Sequence, residues 1–257
     1  MSLQTVRKTQ VDFCRSSHKK PTKLYHTVSR RVGKALREYE MIKDGDRVIV
    51  AVSGGKDSLA LLEMLRYRQC FSPVRYELVV VFVDMDVPNF PREDLRTYLQ
   101  EIGVPYFFEQ ADIVQDGTWD DVECYHCSQL RRKRLFQAAE REGCSKIALG
   151  HHMDDIAETI LLNMCFRGDI AAMCPRQDLF SGRLSLIRPL AYIQEREIMT
   201  LSEQGWFPIL PDHACPNDQQ SQRVVLKEII QRLEKENPVV KKNIIGSLRR
   251  IKKDYLP

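Results

Sequence analysis

The run YELVVVFVD at Tyr76–Asp84 constrains the fold more than any other part of this chain. Side chains on a strand alternate between two faces, so six consecutive apolar residues at 78–83 fit only a sheet covered on both sides. Residues 47–53 (RVIVAVS), 105–109 (PYFFE) and 146–150 (KIALG) read as further buried strands. Segments of helical period separate or follow them at 58–68, from Pro91 and Arg92 to about 102, at 129–142 and at 153–166. Strands alternating with helices predict a doubly wound α/β domain with a mostly parallel sheet. Such sheets bind ligands beyond the carboxyl ends of their strands.

Charge is distributed unevenly along the 257 residues. Residues 1–43 hold 11 Lys and Arg against 3 Asp and Glu, and residues 223–257 hold 10 against 4. The centre, 44–222, holds 18 against 28. An acidic centre between basic ends fits an enzyme core whose arms meet a polyanion, and it also fits two solvated helical faces. Residues 1–43 are read as a basic helical segment, 44–190 as the α/β domain, and 191–257 as a mostly helical attachment with a Pro-interrupted loop near 207–222. No apolar stretch approaches the roughly 20 residues that span a bilayer, and the first ten residues lack the apolar run of a secretory signal. A soluble, cytoplasmic protein is expected.

The loop Ser53-Gly54-Gly55-Lys56-Asp57-Ser58 joins the first strand to a helix. Two glycines let backbone N–H groups approach an anion, and the helix N-terminus adds unpaired donors and a positive dipole end. Ser53 and Ser58 offer hydroxyls and Lys56 a charge. The spacing fits neither the P-loop of kinases and GTPases nor the dinucleotide G-x-G-x-x-G. An ordinary Gly-Gly turn capped by Asp57 or Ser58 is the bland alternative.

After the fourth strand comes Gly150-His151-His152-Met153-Asp154-Asp155. Carboxylates at a strand end can hold Mg²⁺ or move protons, although neighbours on a helix do not face one atom, and either aspartate can simply cap the helix. His151 and His152 divide evenly between a packed and a functional role. Among the eight cysteines, Cys70, Cys144, Cys165 and Cys174 read as small core residues, Cys14 carries no role, and disulfides are not expected. Cys124 and Cys127 have chelating spacing, open to redox, zinc or accidental readings, and Cys215 is the natural third sulfur. Three thiolates suit an iron–sulfur cluster with one iron open to an external ligand, while zinc completed by His126 or His213 is the physical alternative.

The SGGKDS string after a strand resembles the pyrophosphate loop of the PP-loop N-type ATP pyrophosphatases, which adenylate a substrate oxygen. Over roughly 31–223 the chain is similar to the tRNA 2-thiocytidine synthetases of that superfamily, in GDRVIVAVSGGKDSLALLEML, PNFP, CYHCSQLRRKRL, KIALGHHMDDIAETILLNM and IRPLAYIQEREI. The resemblance implies ATP-dependent thiolation of the cytidine at tRNA position 32. Ser53, Gly54, Gly55, Lys56, Asp57 and Ser58 would bind ATP with Mg²⁺, together with Gly150, His151 and Asp155, while Val83 and Asp84 would lie near the adenosine. Asp57, Asp154 and Asp155 would serve the chemistry, and Cys124, Cys127 and Cys215 would hold a 4Fe-4S cluster that carries the sulfur. Arg131, Arg132, Lys133 and Arg134 would meet tRNA phosphates, or form a solvated face. A cysteine desulfurase or free sulfide is implied as sulfur donor, and a homodimer is compatible. Asp212 stands where the family often has a further cysteine. The 2-thiouridine synthetases carry terminal zinc-binding C-x-x-C pairs absent here, a lysidine-type enzyme has no use for three thiolates, and a non-catalytic RNA-binding protein with structural zinc would release no pyrophosphate.

Overall fold

The computed structural model describes residues 19–111, 113, 124–210, 222–252 and 254, with the backbone alone at Cys124. Six strands form one sheet: β1 (Asp46–Val52), β2 (Tyr76–Asp84), β3 (Tyr106–Gln110), β4 (Lys146–Ala148), β5 (Arg176–Leu179) and β6 (Leu184–Ile187). Their order is β3-β2-β1-β4-β6-β5, and every pairing is parallel except β5 with β6. The chain moves outward from β1 to β3, then returns to place β4 on the other side of β1. The switch point, where an open α/β sheet parts its connecting loops, therefore lies between β1 and β4.

Eight helices accompany the sheet among the described residues: α1 (Lys23–Glu38), α2 (Lys56–Gln69), α3 (Arg92–Ile102), α4 (Cys124–Arg141), α5 (Met153–Arg167), α6 (Glu195–Glu203), α7 (Gln222–Glu236) and α8 (Val240–Ser247). The two-residue alternation of β1 and β2 sorts their side chains onto two cores. Val48, Val50, Leu78, Val80 and Phe82 pack with α1, α2, α3 and α6. Ile49, Val79, Val81 and Val83 pack with Leu135, Ala138 and Ala139 of α4. Each fully buried valine contributes roughly 1.5–3 kcal/mol of hydrophobic stabilisation, so the apolar run at β2 is satisfied only by this double cover. Residues 58–66 of α2 are all buried, which makes it the central helix of the first core.

The antiparallel β5–β6 pair has no counterpart in the sequence pattern; RQDL is polar and short, as an edge strand can be. Helix α4 also begins earlier than the sequence implied, at Cys124 and not beyond the cysteine pair. Cys144 is buried as expected, whereas Cys165 and Cys174 are exposed. Cys70 is disulfide-bonded, against expectation. Helix α1 packs into the first core through Tyr25, Val28, Val32 and Ala35, and the Tyr25 hydroxyl donates to Glu63 Oε1 of α2 at 2.6 Å. No described helix is long and apolar enough to cross a membrane.

Candidate active site

The parallel register of β1 with β4, Val50 opposite Ala148, brings the loops that leave both carboxyl ends together. Two motifs about a hundred residues apart in sequence thus become neighbours. They touch at Gly150, where a Cβ would stand 3.0 Å from the Asp57 carbonyl carbon and the Ser58 nitrogen.

The phosphate loop is shaped by its own residues. Gly54 has φ +86°, a conformation that L side chains resist. Gly55 caps α2 without a side-chain acceptor, so N–H groups of the first turn remain available to an anion. The buried Ser58 hydroxyl donates to the Gly55 carbonyl at 2.8 Å and its oxygen accepts from Ser53 N–H at 3.1 Å, pinning the turn.

A cavity of about 540 Å³ opens over this loop, within the range of small-molecule sites. Ser53, Gly55, Asp57 and Ser58 form one wall and Gly150, His151 and Asp155 another. Val81, Val83 and Asp84 of β2 form the side, and Arg131 and Leu135 of α4 lean over it. Asp57 Oδ1 is buried and has no hydrogen-bond partner among the described residues. Asp84 is committed to Arg92, whose guanidinium donates to both carboxylate oxygens at 2.6 and 2.8 Å.

The adjacent aspartates separate, as neighbours on a helix must. Asp155 faces the cavity, and its Oδ2 accepts from the His152 backbone N–H at 2.8 Å. Asp154 turns away: Oδ1 pairs with Lys241 at 2.5 Å and Oδ2 accepts from Glu195 N–H at 2.9 Å. Lys56 also avoids the cavity and lies between Asp57 (3.2 Å) and Glu195 (3.0 Å). Among the predicted basic residues only Arg131 lines the cavity; Arg132 and Lys133 are exposed and Arg134 half-buried.

Burial shifts the ionisation of this region. It drives His151 down to about 4, with Asp155 opposing and Arg188 and Arg223 reinforcing, so His151 is neutral near pH 7. Burial, reinforced by Asp155, raises Glu158 to about 7. Burial would raise Glu195 too, but Lys227 and Lys56 outweigh it and bring that carboxyl down to about 2.

Sequence reasoning missed the partners of these groups: Arg92, Glu195, Lys227 and Lys241. Glu195 lies inside IRPLAYIQEREI, which marked it without giving it a role. Cys127 is half-buried against the second core, one helical turn before Arg131, and Cys124 precedes it at i−3 on the same face of α4. The Cys124 side chain, Cys215, Asp212, His213 and Cys14 lie outside the described residues. Thiols are donors of the type an iron–sulfur cluster takes.

A parallel sheet with an SGGKDS loop at its switch point defines a class. The chain belongs to the family of the PP-loop domain, whose model matches residues 24–233. Within it, the chain belongs with the tRNA-cytidine(32) 2-sulfurtransferases. The Geotalea daltonii enzyme of that name is 40% identical over 240 residues, which cover 91% of this chain and 94% of that protein. The Pseudomonas fluorescens enzyme is 39% identical over 89% of this chain and 85% of its own length. Among solved structures, the U34-tRNA thiolase NcsA of Methanococcus maripaludis, with its 4Fe-4S cluster, is similar at a TM-score of 0.73 and 25% identity, covering 88% of this chain and 78% of that one.

Proposed function

We propose that this chain uses ATP to convert cytidine 32 of tRNA to 2-thiocytidine. The observation that carries the reading is one cavity bounded by the phosphate loop, by Asp155 and by the helix that begins with the cysteine pair. The activity of its relatives, tRNA-cytidine(32) 2-sulfurtransferase, supplies the target.

The ATP phosphates lie on the N–H groups that open α2, with the Ser53 and Ser58 hydroxyls beside them. The adenosine rests against the end of β2, on Val81, Val83 and the backbone of Asp84, since the Asp84 carboxylate is held by Arg92. Asp57, whose Oδ1 takes no hydrogen bond from the described residues, and Asp155 would hold Mg²⁺ entering with ATP. The base presents O2 to the α-phosphorus, an O–P bond forms and pyrophosphate leaves. An amide-like oxygen is a poor leaving group until it is adenylated; afterwards incoming sulfur displaces AMP. Arg131 offsets the charge gathered at the phosphates, and neutral His151 adds no cation there.

Cys124, Cys127 and Cys215 would hold the iron–sulfur cluster, which supplies an open iron for the sulfide to be transferred. Free sulfide provides that sulfur directly; from a cysteine desulfurase it arrives as a persulfide and is released as sulfide by two electrons from a thiol reductant. Residues 44–190 form the nucleotide-binding body, and the basic stretches within 1–43 and 223–257 meet the tRNA. The test is mass spectrometry of tRNA nucleosides from a strain lacking this gene. Loss of 2-thiocytidine alone is expected; intact 2-thiocytidine with another thiolated base missing rejects the assignment.

A further inference from the structure

Lys56 sits in the middle of the phosphate loop yet contributes nothing to the cavity wall. Its ammonium lies 3.0 Å from Glu195 Oε1 on α6 and 3.2 Å from Asp57 Oδ2. The other oxygen of Glu195 lies 2.8 Å from Lys227 Nζ on α7. The Glu195 backbone N–H holds Asp154 at 2.9 Å, and the other oxygen of Asp154 reaches Lys241 of α8 at 2.5 Å. Lys241 in turn pairs with Glu234 of α7 at 2.7 Å. Glu195 therefore joins the phosphate loop to α5 and α7 directly, and to α8 through Asp154.

We propose that Glu195 is a positioning residue for ATP: by clamping Lys56 against Lys227, it makes nucleotide binding at the phosphate loop depend on the docking of α7 and α8. The inference rests on the reading that this loop binds ATP.

The charges explain why a clamp is needed. Asp57 lines the cavity, and its Oδ1 takes no hydrogen bond from the described residues, with His152 Nε2 standing 3.7 Å away. A lysine beside it, if not shared, would close on the carboxylate and compete with a metal ion for it. Glu195 draws the Lys56 ammonium outward and fixes the first turn of α2. Lys227 supplies the second cation, so Glu195 is not left as a half-buried charge with one partner. The side chains of Glu195 (18% exposed), Lys56 (33%) and Lys227 (44%) are partly withdrawn from water, which strengthens the pairs above freely exposed ones. The sequence alone leaves Lys56 as a direct phosphate ligand; the α6 contact reassigns it.

The test uses the full chain with tRNA, measuring pyrophosphate release against ATP concentration. Wild-type protein comes first: if it neither binds ATP nor releases pyrophosphate, the ATP reading itself fails and the clamp with it. With an active wild type, Glu195→Gln is expected to raise the KM for ATP about tenfold while kcat falls less than twofold, the pattern of weakened binding with intact chemistry. Lys227→Met should raise KM in the same sense and Lys227→Arg should restore it; Lys227 is the more exposed position and keeps the test open if Glu195→Gln does not fold. Lys56→Met combined with Glu195→Gln should be no worse than the poorer single variant, because both break the same ion pair. Effects that multiply to about a hundredfold would mean that Lys56 meets ATP independently. An unchanged KM in Glu195→Gln and Lys227→Met would equally overturn the clamp.

Discussion

Replacing Gly150 by alanine tests the close approach that assembles the cavity. The added methyl would lie 3.0 Å from the Asp57 carbonyl carbon and the Ser58 nitrogen and 3.1 Å from the Asp57 carbonyl oxygen. Comfortable separations between heavy atoms are about 3.5–4.0 Å, so the loops must part by about half an ångström. All three atoms are backbone at the start of α2, and no side chain can rotate aside. Gly150 has no positive φ, so the cost is steric and not conformational. Overpacking of this kind costs about 1–3 kcal/mol. The strain falls between the phosphate loop and the loop bearing His151 and Asp155, so ATP affinity takes much of it. At 1.4 kcal/mol per factor of ten, the expected weakening is about 5- to 100-fold. Calorimetric titration with a non-hydrolysable ATP analogue measures it, alongside a thermal melt without nucleotide. Gly55→Ala is the comparison, because its Cβ would meet only Ser53 Oγ at an ordinary 3.6 Å and should leave the melt nearly unchanged. If Gly150→Ala binds the analogue as the wild type does and melts at the same temperature, the close approach is not what holds the two loops in register.

Three further outcomes are expected. Anaerobically purified protein should show broad visible absorbance with iron and sulfide, abolished in Cys124→Ala, Cys127→Ala or Cys215→Ala; a colourless protein with stoichiometric zinc would refute the cluster. Glu158 is raised from 4.5 to about 7, so the folded state binds more protons than the unfolded state between those values and its stability declines as pH rises through that window. Glu158→Gln should remove this decline, seen by chemical denaturation at pH 5 and pH 8, and an unaltered difference between the two would contradict the buried-carboxylate account. Arg132 and Lys133 are exposed on α4, and converting both to alanine should weaken tRNA binding and make the salt dependence shallower, by about 0.7 in slope for each tRNA phosphate the two side chains neutralise. Unchanged slopes would mark them as a solvated face.

The separated fates of Asp154 and Asp155 illustrate how charge is arranged here. Asp155 remains at the cavity, while Asp154 spends both oxygens on Lys241 and Glu195. Removing Lys241 would leave a buried carboxylate short of a cation, and breaking such a pair is far costlier than the net worth of the pair itself. The basic character of 223–257 thus serves partly to neutralise carboxylates of the body, since Arg223, Lys227 and Lys241 all face acidic residues of α5 or α6.

What the sequence determined by itself was local or periodic. The unbroken apolar run of β2 demanded a sheet covered on both faces, and the order of strand, glycine loop and helix marked the candidate phosphate site, because both signals lie within a few consecutive residues. The tertiary structure alone decided which distant groups meet. The polar RQDL segment becomes a strand only because β6 offers it an edge. Whether Lys56 turns to phosphate or to Glu195 depends on α6, 139 residues away, and Asp154 is drawn from the cavity by a lysine on α8. Hydrophobic periodicity is written residue by residue along the chain, whereas the choice of ion-pair partner is made by packing, once helices from both ends have closed around the sheet.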